Sequence, residues 1–249
     1  MTPTTPTAAA IAAGRATLEL VRTAAGGPVL TALRSFDASG TSAMTGLKAP
    51  RQLQILALFP QYFKIDEAPL PGYRGPMFHT TMGLENRGGW LTGANLGGDG
   101  KSRDPGVAKR ALTRAARQSM TGVLAGINAP WLMDTGQFTM TDAGRVTAGD
   151  DRGALQVIID GPDGRVGRLL VDPGTHLPRR LIQPPQPGGG GGAAVSEIVF
   201  TYSDFQAQDG VQLPHAIVRQ VGETRTTWVI KKYVLNPKIP ARRFVAGQR

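Results

Sequence analysis

The stretch Leu155-Gln-Val-Ile-Ile-Asp-Gly-Pro-Asp-Gly-Arg-Val-Gly-Arg-Leu-Leu-Val-Asp-Pro-Gly-Thr175 decides the fold. Leu155, Val157 and Ile159 recur at the two-residue period that puts alternate side chains on one face of a strand. Gly161-Pro-Asp-Gly reads as a turn, Arg165 to Val171 as the returning strand, and Asp172-Pro-Gly-Thr as a second turn. Successive hairpins of this kind build an antiparallel meander.

The pattern continues in both directions. Leu177-Pro-Arg-Arg-Leu-Ile reads as the next strand, and Gln183-Pro-Pro-Gln-Pro with the five glycines at 188–192 as a solvated loop. Ile198, Phe200 and Tyr202 alternate with Val199, Thr201 and Ser203, the mark of a half-buried strand. After Asp209-Gly210, the run from His215 to Arg219 pairs through Gly222-Glu223 with Thr226 to Val234, Gly222 suiting a type II′ turn. Toward the N-terminus a strand starts near Phe36. Another, from Gln52 to Phe59, is broken by Pro60 and continued by Tyr62-Phe-Lys-Ile-Asp. Pro69 to Pro76 is loop by composition, and Phe78-His-Thr-Thr-Met pairs with Gly89-Trp-Leu as a hairpin around Glu85-Asn-Arg-Gly-Gly. The count comes to roughly ten strands at the short spacing of a sandwich or barrel.

Helix signals are few. From about Thr7 to Ala25 the residues are good helix formers, with Ile11, Leu18 and Val21 near one face and Gly26-Gly27 as a stop. Pro28 to Leu33 adds a short helical turn. Asp104-Pro105 is an N-cap acceptor followed by proline at the first helical position. In the helix it opens, Leu112, Ala116, Met120, Val123, Leu124 and Ile127 share a face, with Arg110, Arg114 and Arg117 well away from it. Ala129-Pro130 ends it.

Composition bounds the rest. The 249 residues are 41% hydrophobic and 18% charged, which allows a core and argues against disorder. The 33 glycines and 19 prolines fit many turns. Apolar runs such as Leu53-Gln-Ile-Leu-Ala-Leu-Phe59 fall far short of the ~20 residues of a membrane-spanning helix. The net charge of +10 suits an anionic partner, although no block of five basic residues occurs and the densest cluster is Lys109, Arg110, Arg114 and Arg117. Absence of cysteine removes disulfides and thiolate chemistry. The N-terminal Met-Thr-Pro-Thr-Thr-Pro-Thr lacks the basic and apolar regions of a secretory signal. Two readings follow: a cytoplasmic protein, or a mature exported domain whose signal is replaced by the starting methionine.

Catalytic motifs are weak. His79, His176 and His215 are not spaced as a helical metal site, and no Gly-x-Ser-x-Gly elbow exposes a nucleophile. Gly97-Gly-Asp-Gly-Lys-Ser fails the phosphate-loop pattern because position 95 is Asn95. With 6% aromatic residues, no strand sets two or three aromatics beside basic ones, so nucleic acid is not expected. No metal, cofactor or catalytic residue is assigned. The features fit an apolar role better. Ile55, Phe59, Phe63, Phe78, Met82, Trp90, Met120 and Leu124 would line a groove between the sheet and its covering helix, with Arg110, Arg114 and Arg117 as contacts for an anionic headgroup.

Three motifs then point to a family. Val171-Asp-Pro-Gly-Thr-His-Leu-Pro, Phe200-Thr-Tyr-Ser-Asp-Phe-Gln-Ala-Gln-Asp-Gly-Val-Gln-Leu-Pro-His, and Val234-Leu-Asn-Pro-Lys-Ile-Pro with Phe244 resemble the bacterial LolA/LolB-like superfamily. Gly88-Gly-Trp90 followed by the Asp104-Pro105 helix matches the family order. The resemblance covers most of residues 15–246 and implies a mainly β fold: a curved antiparallel sheet forming an incomplete barrel, closed on its concave face by the N-terminal helix and the helix after Asp104. Residues 1–14 are then a flexible leader and 15–249 one half-barrel domain. It further implies a non-catalytic periplasmic carrier or sensor for a lipid or the acyl chain of a lipidated protein, with an envelope protein as a further partner. The chain departs from the pattern in lacking a lipobox cysteine and in its long loop at 184–192. A closed half-barrel serving as a protein-interaction module is the alternative, ahead of a histidine-dependent enzyme.

Overall fold

Thr7 opens the first element: its hydroxyl accepts the Ala10 amide at 3.2 Å and caps helix α1, Ala8–Ala24. The computed structural model describes residues 6–59, 62–72, 77–85, 88–96, 138–161, 164–185 and 196–244, with 77–85 and 88–96 as backbone. Residues 8–14, read above as leader, are the first turns of α1, because the Thr7 cap and a run of alanines favour helix there. The helix ends as read: Gly26 and Gly27 take φ of 134° and 53°, and the Gly27 amide returns to the Arg22 carbonyl at 2.8 Å. Helix α2 is the single turn Pro28–Thr31.

The described strands are β1 (Ser35–Met44), β2 (Arg51–Leu58), β3 (Tyr62–Pro69), β4 (Met77–Glu85), β5 (Gly88–Leu96), β6 (Thr139–Arg145), β7 (Leu155–Gly161), β8 (Gly164–Val171), β9 (Pro178–Gln183), β10 (Ile198–Gln208), β11 (Val211–Val221) and β12 (Thr224–Leu235), followed by a 3₁₀ turn at Ala241–Phe244. They form one antiparallel sheet in the order β5-β4-β3-β2-β1-β12-β11-β10-β9-β8-β7-β6. Two meanders therefore run outward from a central β1–β12 pair, and among the described residues β5 and β6 are the unjoined edges of the sheet.

Twelve strands stand where roughly ten were read. One difference is β6, whose Thr-Met-Thr-Asp-Ala-Gly-Arg hides any alternation. The other corrects the broken strand around Pro60: β2 and β3 are a hairpin, with Leu58 opposite Tyr62 and Arg51 opposite Pro69. Proline has no N–H for a ladder, and the two apolar halves gain most burial side by side. The hairpin at Glu85–Gly88 is as read. So are the turns at Asp209-Gly210, with φ of 49° and 82°, and at Gly222, with φ of 56°.

Bulges bend the sheet at Ser39/Gly40, within Asp142–Arg145, at Ile159/Asp160 and at Leu170/Val171. Gly40 is required at its bulge, since a Cβ there would lie 2.0 Å from the Val229 carbonyl oxygen. The inner face carries the core. Phe36, Ala38, Ile55, Ala57, Phe63 and Ile65 bury it on one wing, and Val157, Ile159, Leu169, Leu181, Phe200 and Ile217 on the other. Helix α1 packs across β6 and β7, adding Leu18 and Val21 to this core. On the outer face Phe244 is fully buried, its ring 5.4 Å from that of Tyr62.

The Asp172-Pro-Gly-Thr turn owes its form to the Asp172 carboxylate. Its Oδ1 accepts the Gly174 and Thr175 amides, both at 2.9 Å, and the Thr175 hydroxyl at 3.2 Å.

Candidate functional site

Strand register places the groove residues read from the sequence. Ile55 lies between Ala38 and Ile65, and Phe63 opposite Ala57, so both belong to the buried inner face. Phe59 follows β2 and is half-buried, its ring 5.8 Å from Phe36. Met82 pairs with Ile65 and extends the Ala38–Ile55–Ile65 row by one strand; Phe78 precedes it by two strand periods on β4. Trp90 pairs with Gly83, the next position along β4, and falls in the alternate row. Met120, Leu124, Arg110, Arg114 and Arg117 lie outside the described residues, as do the helix after Asp104 and the five-glycine loop.

Charged residues also enter the inner face. Arg51 precedes Leu53 and Ile55 at the two-residue period, and Glu67 follows Phe63 and Ile65 at the same period, so both point where the core points. Each is 7% exposed. Arg51 Nη2 meets Glu67 Oε2 at 3.0 Å, while Glu67 Oε1 accepts from Trp228 Nε1 at 2.9 Å and from the Ser42 hydroxyl. The indole is held in turn by Phe200, whose ring stacks on it at 6.3 Å and 17°. Arg219, opposite Phe200 on β10 and Thr226 on β12, stands in the field of the same carboxylate. Burial lowers its pKa from the usual guanidinium value, and Glu67 partly counters this. Among the described residues the buried Nε of Arg51 and the buried Nε of Arg219 have no acceptor. Two guanidiniums thus share one carboxylate whose oxygens are both engaged.

The sequence reading missed this group. The signal was a charged residue in phase with apolar ones, at Arg51 and again at Glu67.

The histidines are dispersed. His215 is buried, its Nδ1 2.8 Å from the Ile230 carbonyl oxygen and its ring edge-on to Tyr233 at 5.3 Å. Tyr233 donates its hydroxyl to the Pro214 carbonyl at 2.7 Å, and burial pushes its pKa far above the usual phenol range. His176 sits in the Asp172 turn with φ of 56°, and His79 is on β4. Among the described residues no three His, Asp or Glu side chains are grouped to hold a metal ion. At the end of β2 away from Arg51, an open cleft of about 570 Å³ is lined by Arg34, Ser35, Leu58 and residues 236–240. Two hydrogen bonds join its walls: the Arg34 amide donates to Asn236 and the Ser35 hydroxyl to the Pro237 carbonyl, both at 2.7 Å.

No family model matches the sequence, and no curated protein does. Solved structures do share the fold. A LolA superfamily protein from Nitrosomonas europaea superposes with a TM-score of 0.53 at 12% identity, covering 93% of this chain and 97% of that one. A DUF1329 family protein from Desulfovibrio piger gives 0.52 at 10% identity, covering 94% and 97%. The fold is LolA-like: a curved, open antiparallel sheet with an N-terminal helix on its inner face.

Proposed function

We propose that this LolA-like chain is a non-catalytic carrier or sensor that holds a lipid, or the acyl chain of a lipidated protein, against the inner face of its sheet. The observation that supports this reading best is the apolar row Ala38–Ile55–Ile65, continued in register by Met82, on a sheet whose end strands β5 and β6 are not paired with each other among the described residues. Phe59, Phe63, Phe78, Met120 and Leu124 are proposed to complete the lining, with Trp90, in the alternate row, outside it, and Arg110, Arg114 and Arg117 to meet an anionic headgroup. Each methylene taken from water contributes about 0.8 kcal/mol, so most of an acyl chain binds usefully without chemistry being done to it. Two polar groups of the kinds used in catalysis have structural partners: Asp172 holds its turn, and His215 contacts the Ile230 carbonyl. An exported protein of the cell envelope, on the periplasmic side, fits this role, with a lipid or lipidated protein as cargo and an envelope protein as donor or acceptor. Among the described residues no helix is long and apolar enough to cross a membrane.

Native mass spectrometry of the purified protein, with displacement of a fluorescent fatty-acid probe, tests the reading. Co-purifying lipid and saturable displacement are expected. A lipid-free mass together with no probe binding would overturn it in favour of a protein-interaction module. Met120→Lys should weaken probe binding, whereas Trp90→Ala, in the alternate row, should not, and parent-like binding by Met120→Lys removes that residue from the lining.

A further inference from the structure

We propose that Arg219 and Arg51 form an anion site inside the inner face, and that it receives the carboxylate or phosphate head of an amphiphile whose tail lies along the apolar rows. The inference rests on the carrier reading and names its ligand class.

The charge count carries it. Glu67 already accepts from Arg51, Trp228 and Ser42, and its single negative charge faces two guanidiniums, Arg51 and Arg219. Among the described residues the cluster therefore holds a net positive charge beside Phe200, Trp228 and Leu53, a setting in which an uncompensated cation is costly. Arg51 is 8% exposed at its side chain, and its Nε points at no acceptor among the described residues, as does that of Arg219. An anion that presents two oxygens side by side, a carboxylate or a phosphate, matches guanidinium donors better than a halide ion or a water does. The site also sits where a head group belongs. Arg51 begins β2, Arg219 is close to the end of β11 and Thr226 to the start of β12, so the cations mark one rim of the sheet, with the apolar rows running inward from them. A tail on the Ile55 and Ile65 rows would leave its head at this rim. Desolvation of Arg219 strengthens such a pairing, because water competes less for the donors.

Calorimetric titration with decanol, decanoate, decyl phosphate and inorganic phosphate, each below micelle formation, tests the site in the full chain. Decanoate or decyl phosphate should bind at least tenfold more tightly than decanol, and the better of the two identifies the head group. Arg219→Gln should abolish that preference while leaving decanol affinity unchanged, and Arg219→Lys should keep part of it. Circular dichroism reports whether the variants fold, and the wild-type comparison stands without them. Equal binding of decanol and the anionic amphiphiles overturns the anion site and leaves the carrier reading intact. Inorganic phosphate binding as tightly as decyl phosphate overturns the head-group assignment. If none of the three amphiphiles binds, the carrier reading fails and the inference with it.

Discussion

Trp228 donates its indole N–H to Glu67 at 2.9 Å across 161 residues of chain. The bond ties the third strand to the last across β2 and β1, and Ser42 of β1 joins it from between them. A buried ion pair rarely gains much over an apolar pair of equal volume, because desolving two charges offsets their attraction. What it does impose is dependence: each member requires the others.

Glu67→Ala is therefore expected to destabilise the fold by about 3–5 kcal/mol, since it leaves Arg51 as a buried cation without a partner. The double change Glu67→Leu with Arg51→Met should cost much less. Urea denaturation of the three proteins checks both. A single variant as stable as the wild type would show that Arg51 reaches water when its partner is lost.

A second expectation concerns acid. Hydrogen bonds from the Thr175 backbone, with further ones from Gly174 and the Thr175 hydroxyl, hold the Asp172 carboxyl below the usual carboxylate range. The folded value lies under the unfolded one, so this stabilisation is complete above the ordinary carboxylate pKa and is lost as pH falls through the folded value. Asp172→Asn should lower Tm at pH 7, and the gap to wild type should narrow as pH falls below the ordinary carboxylate range. Thermal melts across that range measure it, and a gap independent of pH would mean that the charge contributes nothing.

A third follows from Tyr233. Its hydroxyl is the donor to a buried Pro214 carbonyl, so Tyr233→Phe should cost about 1–2 kcal/mol while keeping the edge contact with His215. Chemical denaturation gives the value, with a loss under about 0.3 kcal/mol showing that water replaces the donor.

How far the sequence could be read depended on the range of each interaction. Asp209-Gly210, Gly222 and Gly26-Gly27 were legible because a positive φ is a demand on the residue itself. Alternation over Leu155–Ile159 and Ile198–Tyr202 was legible for the same local reason. Pro60 was misread because a proline ends a ladder without saying whether the chain goes on or turns back; the answer lies in the pairing of Leu58 with Tyr62. The LolA-like architecture came through motifs that are themselves turns and strand starts. The Arg51–Glu67–Trp228 group did not come through, because its members meet only after three distant strands are in register. Arg51 was not singled out although its parity matched Leu53 and Ile55.

The last prediction sets propensity against packing. Gly14 lies inside α1, where alanine is intrinsically preferred by about 1 kcal/mol. Yet a Cβ at that position would stand 2.7 Å from the Met140 carbonyl oxygen and 2.8 Å from the Asp142 amide nitrogen, both backbone atoms of β6 that cannot rotate away. Overpacking of this kind costs about 1–3 kcal/mol, so the clash should outweigh the helical gain and Gly14→Ala should destabilise the protein. Ala12→Gly, on the exposed side of the same helix, isolates the propensity effect and should cost about 1 kcal/mol. If Gly14→Ala instead raises Tm, helix α1 can lift from β6 at little cost, and the close approach is not what docks it on the inner face.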